Sequence, residues 1–352
     1  MKRLLFFAVV LSVFIGFWIH FGKVSCKMVG LSTSIGPIQT VFEAPFFSKL
    51  PGRSNTSLTC QYVPINQQGI QEAYLLKYLE RGFYDLAAIR FRQVESSDIA
   101  ITGMDQPGLP LDLASSRKLS DNFSPFLDKI LKEKFKVKII DNFVFGPQEL
   151  FCTKPIEKIE DFKGLKIRTT AGPKSSIGKL ITALGAKPLQ IEFADTKTAL
   201  QDNLVDCGVS SYLSAENAGW FQYLPYRMGF ILGNGVNAYV INLRTWNALN
   251  ARQKIALTNS IEDLTGDMWD FSQKSYEDSL LPCSRDAVNC QKWPKLIVLS
   301  EYQMNRMHQI AINEVLIPWL KSCDEIHPGC KSEWLKAAKA TGRFENLSLS
   351  DL

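Results

Sequence analysis

The sequence predicts an α/β protein of two domains that share strands. Three observations predict it. Helical and strand-like segments alternate through most of the chain, a pattern of mixed architecture rather than an all-helical or all-strand one. The 352 residues allow two domains at roughly 100–200 residues each. No linker-like stretch interrupts the middle, so the domains are expected to exchange strands rather than sit in series.

From the N-terminus, Lys2 and Arg3 precede the apolar run LLFFAVVLSVFIGFWIHFG, whose only strongly polar member is His20. That is the layout of an export signal. The run is also just long enough to span a bilayer if it is not cut, so residues 1–27 are expected to be a signal peptide or an N-terminal anchor. Val24-Ser25-Cys26 resembles a lipoprotein cleavage box, but Lys23 stands where that box has an aliphatic residue.

GIQEAYLLKYLERG places Ile70, Tyr74, Leu75, Tyr78 and Leu79 at helical spacing and closes on Gly82; FYDLAAIRF then reads as a buried strand. KVKIIDNFVF and GLKIRTT are strand-like, SSIGKLITALGAK is helical up to Gly185, PLQIEF is a strand, ADTKTALQDNLV a helix and DCGVSSYL a strand. Residues from about 145 to 215 thus form a βαβαβ block. YRMGFIL and NAYVINL follow as strands. The stretch from Ala251 to Leu281 has Gly266 as its only breaker, which predicts one long helix able to brace both domains. EYQMNRMHQIAINEVL and SEWLKAAKA are two further helices.

Net charge excludes a nucleic-acid binder. Of the +5 total, Lys2, Arg3, Lys23 and Lys27 carry +4 with no acid among the first 27 residues, which leaves a near-neutral body. Cys26 is assigned to the signal region, and seven cysteines remain for an oxidising compartment. Cys283 and Cys290 bracket SRDAVN, and Cys323 and Cys330 bracket DEIHPG; both read as local disulfides around turn-forming loops. Cys323-x3-His327-x2-Cys330 also offers metal-ligand spacing, but no fourth ligand stands nearby. The pairing of Cys60, Cys152 and Cys207 stays open, with one odd cysteine.

No catalytic constellation emerges. Gly233-Asn234-Gly235-Val236-Asn237-Ala238 matches a loose dinucleotide fingerprint, yet a strand follows where a pyrophosphate needs a helix N-terminus. Ser175-Ser176 and Ser210-Ser211 lack a nucleophile elbow, and His308 and His327 both lie in the C-terminal helical part. No zinc-protease, EF-hand or phosphate-loop motif occurs. The chain is therefore expected not to be an enzyme and to need no cofactor; a secreted α/β hydrolase is the rival reading. What stands out is DFKGLKIRTTAGP, which sets Arg168 at the end of a strand that enters a small-residue loop. Ligands of open α/β sheets bind at such strand ends, and a guanidinium there can clamp a carboxylate through two parallel N–H bonds. The competing reading is a solvated arginine on an edge strand. Arg90 ends the strand YDLAAIR and Asn237 opens YVINL after a glycine turn, so both are candidates for the facing wall.

Three motifs carry a family resemblance: PIEKIEDFKGLKIRTT, LGAKPLQIEFADTKTALQDNLVDCG and YVINLRTWNALNARQKIAL. Through them the chain resembles the DctP-like extracytoplasmic solute-binding proteins of tripartite ATP-independent periplasmic (TRAP) transporters. The resemblance implies a two-lobed periplasmic-binding-protein fold with strands exchanged between lobes and a long bracing helix. It assigns 28–143 with 235–275 to lobe I, 144–234 with 276–322 to lobe II, and 323–352 to a C-terminal helical segment. It makes Arg168 the selectivity arginine and Phe193 a residue flanking the ligand. Ser210 stands where relatives carry a ligand-touching asparagine, and Gln148 where some sialic-acid binders carry a second arginine. A hydroxyl offers fewer hydrogen bonds than an amide, so the implied ligand is a small organic acid with one anionic group. The implied function is capture by hinge closure in the periplasm and delivery to TRAP membrane subunits by a monomer; the alternative is a repurposed binding protein for sensing or protein contact.

Overall fold

The computed structural model describes residues 24–53, 58–281 and 294–344. The apolar run before residue 24, and Cys283 with Cys290, lie outside the described residues. The strands are β1 (Val24–Gly30), β2 (Leu58–Pro64), β3 (Leu86–Arg90), β4 (Val137–Val144), β5 (Gln148–Cys152), β6 (Lys166–Thr169), β7 (Lys187–Gln190), β8 (Cys207–Ser211), β9 (Tyr226–Gly233), β10 (Val236–Asn242) and β11 (Lys295–Ile297). They form two sheets, ordered β2-β1-β3-β10-β4 and β11-β9-β5-β8-β6-β7. The fold is a two-lobed α/β architecture with one sheet at the heart of each lobe.

In the first sheet successive residues feed opposite layers, as the two-residue period of a strand requires. Ala87, Ile89, Ala238 and Val240 join one core with the helices Leu113–Phe135 and Cys330–Lys339; Leu86, Ala88, Tyr239 and Ile241 join the other with the helices Ala44–Arg53 and Ala251–Ser279. With both faces covered, the strands read as near-continuous apolar runs. The second sheet divides likewise, Leu150 and Cys152 to one layer and Phe151 to the other.

The chain crosses between the sheets where β4 runs into β5 and where β9 runs into β10. The two crossings are stitched together: Phe145 N–H donates to Gly235 O at 3.1 Å. Asp105 accepts from Asn234 N–H and Gly235 N–H, both at 2.9 Å, and pairs with Arg92 at 3.1 Å. Gly235 has a φ of 64°, which glycine adopts without a Cβ penalty. The glycine-rich hexapeptide is thus a clasped crossing between strands, as its sequence context suggests. A third crossing runs through the helical stretch around Ile312–Leu316, where Val315 packs in a core of the second sheet and Leu316 in one of the first. Residues 317–322, expected in the second lobe, include Trp319 and Leu320 of that first-sheet core. The predicted long helix is present, and it braces both lobes: Trp269 Nε1 donates to Asn142 O at 3.0 Å, while Ser279 O accepts from Arg227 at 3.1 Å.

The cysteines correct one expectation. Cys26 lies in β1 directly opposite Cys60 of β2 and is bonded to it, so Cys26 and Lys27 belong to the folded sheet rather than to the export segment. Cys152 and Cys207 face each other across β5 and β8 and are also bonded. With Cys26 bonded inside the sheet, no cysteine among the described residues is left over. Cys323–Cys330 forms as expected, and His327 Nε2 meets Asp98 Oδ1 at 2.8 Å.

Beneath the first sheet, Glu43 is fully buried. Its carboxylate accepts from Leu31 N–H at 2.6 Å, Tyr62 O–H at 2.8 Å and Tyr239 O–H at 3.0 Å. Burial pushes its pKa up to about 7 against the downward pull of these bonds. A carboxyl group raised in the folded state binds its proton more tightly there than in the unfolded chain. Its contribution to stability is therefore complete below the ordinary carboxylate range and is lost as pH rises toward 7. The expected result is that Glu43→Gln flattens the fall in unfolding midpoint between pH 5 and 8; scanning calorimetry of both proteins checks it, and identical slopes would refute it.

Candidate functional site

The carboxyl ends of β3 and β6 and of β8, with the amino ends of β5 and β10, meet between the two sheets. Open α/β sheets bind ligands at this edge, where the backbone leaves side chains free to converge. A narrow cavity of about 70 Å³ lies there beside a wide chamber of about 1220 Å³, and the walls of both include Ile35, Arg90, Arg92, Gln93 and Phe193. All six residues expected from the sequence line the narrow cavity: Arg90, Gln148, Arg168, Phe193, Ser210 and Asn237.

Arg168 is the most constrained of them. It is 1 % exposed, and its guanidinium lies over the rings of Phe193 and Trp220, at 5.6 and 5.4 Å from the centroids. Nε donates to Ile191 O at 2.9 Å and Nη1 to Val209 O at 3.1 Å, while Nη2 has no partner. Burial, assisted by the charge of Arg90 and opposed by Glu192, pulls its pKa down to about 9. The group stays protonated at neutral pH. A buried cation with a free N–H edge is costly until an anion meets it. Trp220 can lie under it because residue 208 is glycine; a Cβ there would stand 2.8 Å from the indole.

The other five differ in how much they have left to offer. Arg90 makes a two-point ion pair with Glu72, at 2.5 and 2.6 Å, so its charge is already matched. Gln148 Nε2 donates to Gly146 O at 2.8 Å, and Asn237 Nδ2 to Gly235 O at 2.6 Å. Ser210 is buried at the end of β8. Phe193 opens a short turn after β7 and is 9 % exposed.

Sequence reasoning missed the wall contributed by residues 92–106. Arg92, Gln93, Glu95 and Gln106 line the chamber, and each carries a buried polar atom without a hydrogen-bond partner. Arg92, Gln93 and Glu95 sit on single helical turns, Phe91–Val94 and Glu95–Ser97, too short to show a period, and Gln106 lies in the loop after Ile99–Met104. Burial raises the Glu95 carboxyl above its usual range, with Arg92, Ser176 and Lys179 pulling the other way. Among the described residues, no cluster of three or more His, Cys, Asp or Glu is arranged to hold a metal ion, and no helix is long and apolar enough to cross a membrane.

A family model described as bacterial extracellular solute-binding protein, family 7, matches residues 37–289. An uncharacterized protein of Haemophilus influenzae is 22% identical over 259 residues, 72% of this chain and 76% of that one. The sialic acid-binding periplasmic protein SiaP of Vibrio cholerae is 27% identical over 181 residues, 51% of this chain and 55% of that protein. Among solved structures, the Bordetella pertussis extracytoplasmic solute receptor DctP7, which binds pyroglutamic acid, superposes with a TM-score of 0.75 at 14% identity, covering 90% of this chain and 99% of that one. A TRAP periplasmic solute binding protein from Desulfovibrio salexigens with bound orotic acid gives 0.76 at 17% identity, covering 91% and 100%.

Proposed function

We propose, from the premise that the chain belongs to family 7 of the bacterial extracellular solute-binding proteins, the receptors of TRAP transporters, that it captures an organic acid in the periplasm and delivers it to TRAP membrane subunits. The observation that carries this reading is the unpartnered Nη2 of the buried Arg168, on the wall of a cavity between two sheets. A carboxylate supplies what that nitrogen lacks, and a charge-assisted bond in a water-poor cleft contributes about 1.5–3 kcal/mol.

Phe193 and Trp220 pack side by side against the guanidinium, and Ile191 O and Val209 O fix its roll. The cation is therefore oriented before ligand arrives. An acid that touches Arg168 on one lobe and the wall of Arg90, Arg92 and Gln93 on the other binds the closed arrangement better than the open one. That difference in affinity is what drives closure. In this reading the protein acts on its ligand as a carrier.

Acid-binding relatives support the class of ligand: pyroglutamate, orotate and, in a Roseobacter denitrificans protein, β-D-glucuronate each carry one carboxylate. Native mass spectrometry of freshly purified protein is expected to show a co-purified small acid that is absent from the Arg168→Ala variant. Retention of the same ligand by both proteins would overturn the reading.

A further inference from the structure

We infer that closure of the cleft is coupled to protonation of Glu95, so that the receptor holds its acid more tightly as the pH falls. This rests on the hinge-closure reading above and adds a regulation of the same site.

Glu95 reaches from the lobe of the first sheet to that of the second. Its turn, Glu95–Ser97, follows Val94 of a first-sheet core, while Ser176 opens the helix Ser176–Ala183, whose Ile177, Leu180 and Ile181 pack in a second-sheet core. Ser176 Oγ donates to Glu95 Oε2 at 3.0 Å, and both residues line the chamber. The carboxyl group is enclosed in this way only while the two lobes stand together. Its other oxygen, Oε1, is buried without a hydrogen-bond partner among the described residues. An ionised group bears the cost of that bare oxygen in full, whereas one protonated at Oε1 still accepts from Ser176 and has no charge to desolvate.

The surrounding charges do not reverse this balance. Arg92, on the preceding turn, is shared with Asp105, and Lys179 acts from the facing helix. Glu72, on the neighbouring turn, is matched by Arg90, and Asp98, before Ile99–Met104, by Lys134 and His327. Lys174 and Glu192, also on the chamber wall, are exposed and opposite in charge. Burial outweighs Arg92, Ser176 and Lys179 together and leaves the carboxyl above its usual range. An acid entering beside Arg168 adds negative charge and acts in the same direction. The closed form therefore binds the proton more tightly than the open one, and by reciprocity the proton favours closure. The added affinity is complete below the ordinary carboxylate range and is lost as pH rises through the higher value of the closed form.

The test is isothermal titration of the full chain, freed of ligand by dialysis, with pyroglutamate, orotate and β-D-glucuronate from pH 5 to pH 8. Free carboxylic acids of this kind titrate at about 3–4, below that range, and Arg168, at about 9, above it. At least one of the three is expected to bind about five-fold or more tightly at pH 5 than at pH 8, with proton uptake read from the dependence of the heat on buffer ionisation. Glu95→Gln, which is neutral and still accepts from Ser176, is expected to bind at pH 8 nearly as tightly as the wild type does at pH 5. Glu95→Ala, which removes the group, should lose the slope likewise. Glu43 and Glu149, buried with values of about 7, remain in both variants, so any slope of theirs survives there. Equal slopes in wild type and variants, or binding by the wild type without proton uptake, overturns the inference and leaves the acid-binding reading standing. If none of the three acids binds the wild type, the acid-binding reading falls, and the inference with it.

Discussion

Replacing Arg168 by alanine is expected to weaken binding of the acid that the wild type retains by about 10²–10⁴-fold, the equivalent of roughly 3–5 kcal/mol for a buried charge left without its partner. The loss follows from the free Nη2 and from the burial of the site, since no water replaces the guanidinium at 1 % exposure. Arg168→Lys is expected to fail by at least ten-fold as well. A lysine carries the charge, but it lacks the planar fork that reaches Ile191 O and Val209 O while keeping one edge open. Misfolding is distinguished by calorimetry of the ligand-free variants. The native protein already carries the penalty of a cation pulled down to about 9, so Arg168→Met loses two hydrogen bonds and is relieved of that penalty together, and its unfolding midpoint should move by only a few degrees. Titration showing affinities within three-fold of wild type would remove Arg168 from the site.

How much of this was legible in the sequence depends on the range of the interaction. β3, β4 and β6 to β10 are legible in the sequence, β3 and β10 because cores lie on both faces of their sheet and apolar runs such as LAAI and YVI have no other use, whereas β1, β2, β5 and β11 are not. Arg168 was legible because a strand end is a local property. The helix Leu113–Phe135 was not anticipated, although Leu119, Phe123, Leu127, Ile130 and Leu131 keep helical spacing. Pro125 interrupts that pattern, and the helix tolerates it because Pro125 is on the exposed side, where the carbonyl it leaves unbonded meets water. Pairings across the fold were invisible. Nothing near Arg90 in sequence points to Glu72 as its neutraliser, and nothing near Asn234 points to Asp105 as the clasp of the crossing. Cys26 was assigned to the wrong side of a boundary because strand register, which sets it opposite Cys60, is a tertiary fact.

The second large effect is expected away from the ligand, at the ion pair Glu149–Arg227. Both side chains are almost wholly buried, at 1 % and 2 % exposure, with Oε2 at 2.8 Å from Nε and 2.7 Å from Nη2. Arg227 also donates to Ser279 O at 3.1 Å and lies between Tyr212 and Tyr276, 4.8 and 5.6 Å from their centroids. The pair therefore joins β5 and β9 to the end of the bracing helix. Burial lifts the Glu149 pKa to about 7 although Arg227 pulls it down, so desolvation outweighs attraction. In that case the pair contributes little net stability, while either half alone is a buried charge without a partner. Glu149→Ala is expected to destabilise by about 3–5 kcal/mol, seen as an unfolding midpoint lower by on the order of 10 °C. The double variant Glu149→Leu with Arg227→Met should recover most of it, because two apolar side chains of similar length fill the space without any charge to compensate. A double variant as unstable as the single one would show instead that the guanidinium's hold on Ser279 O, the cap of the helix that braces both lobes, is where the stability resides.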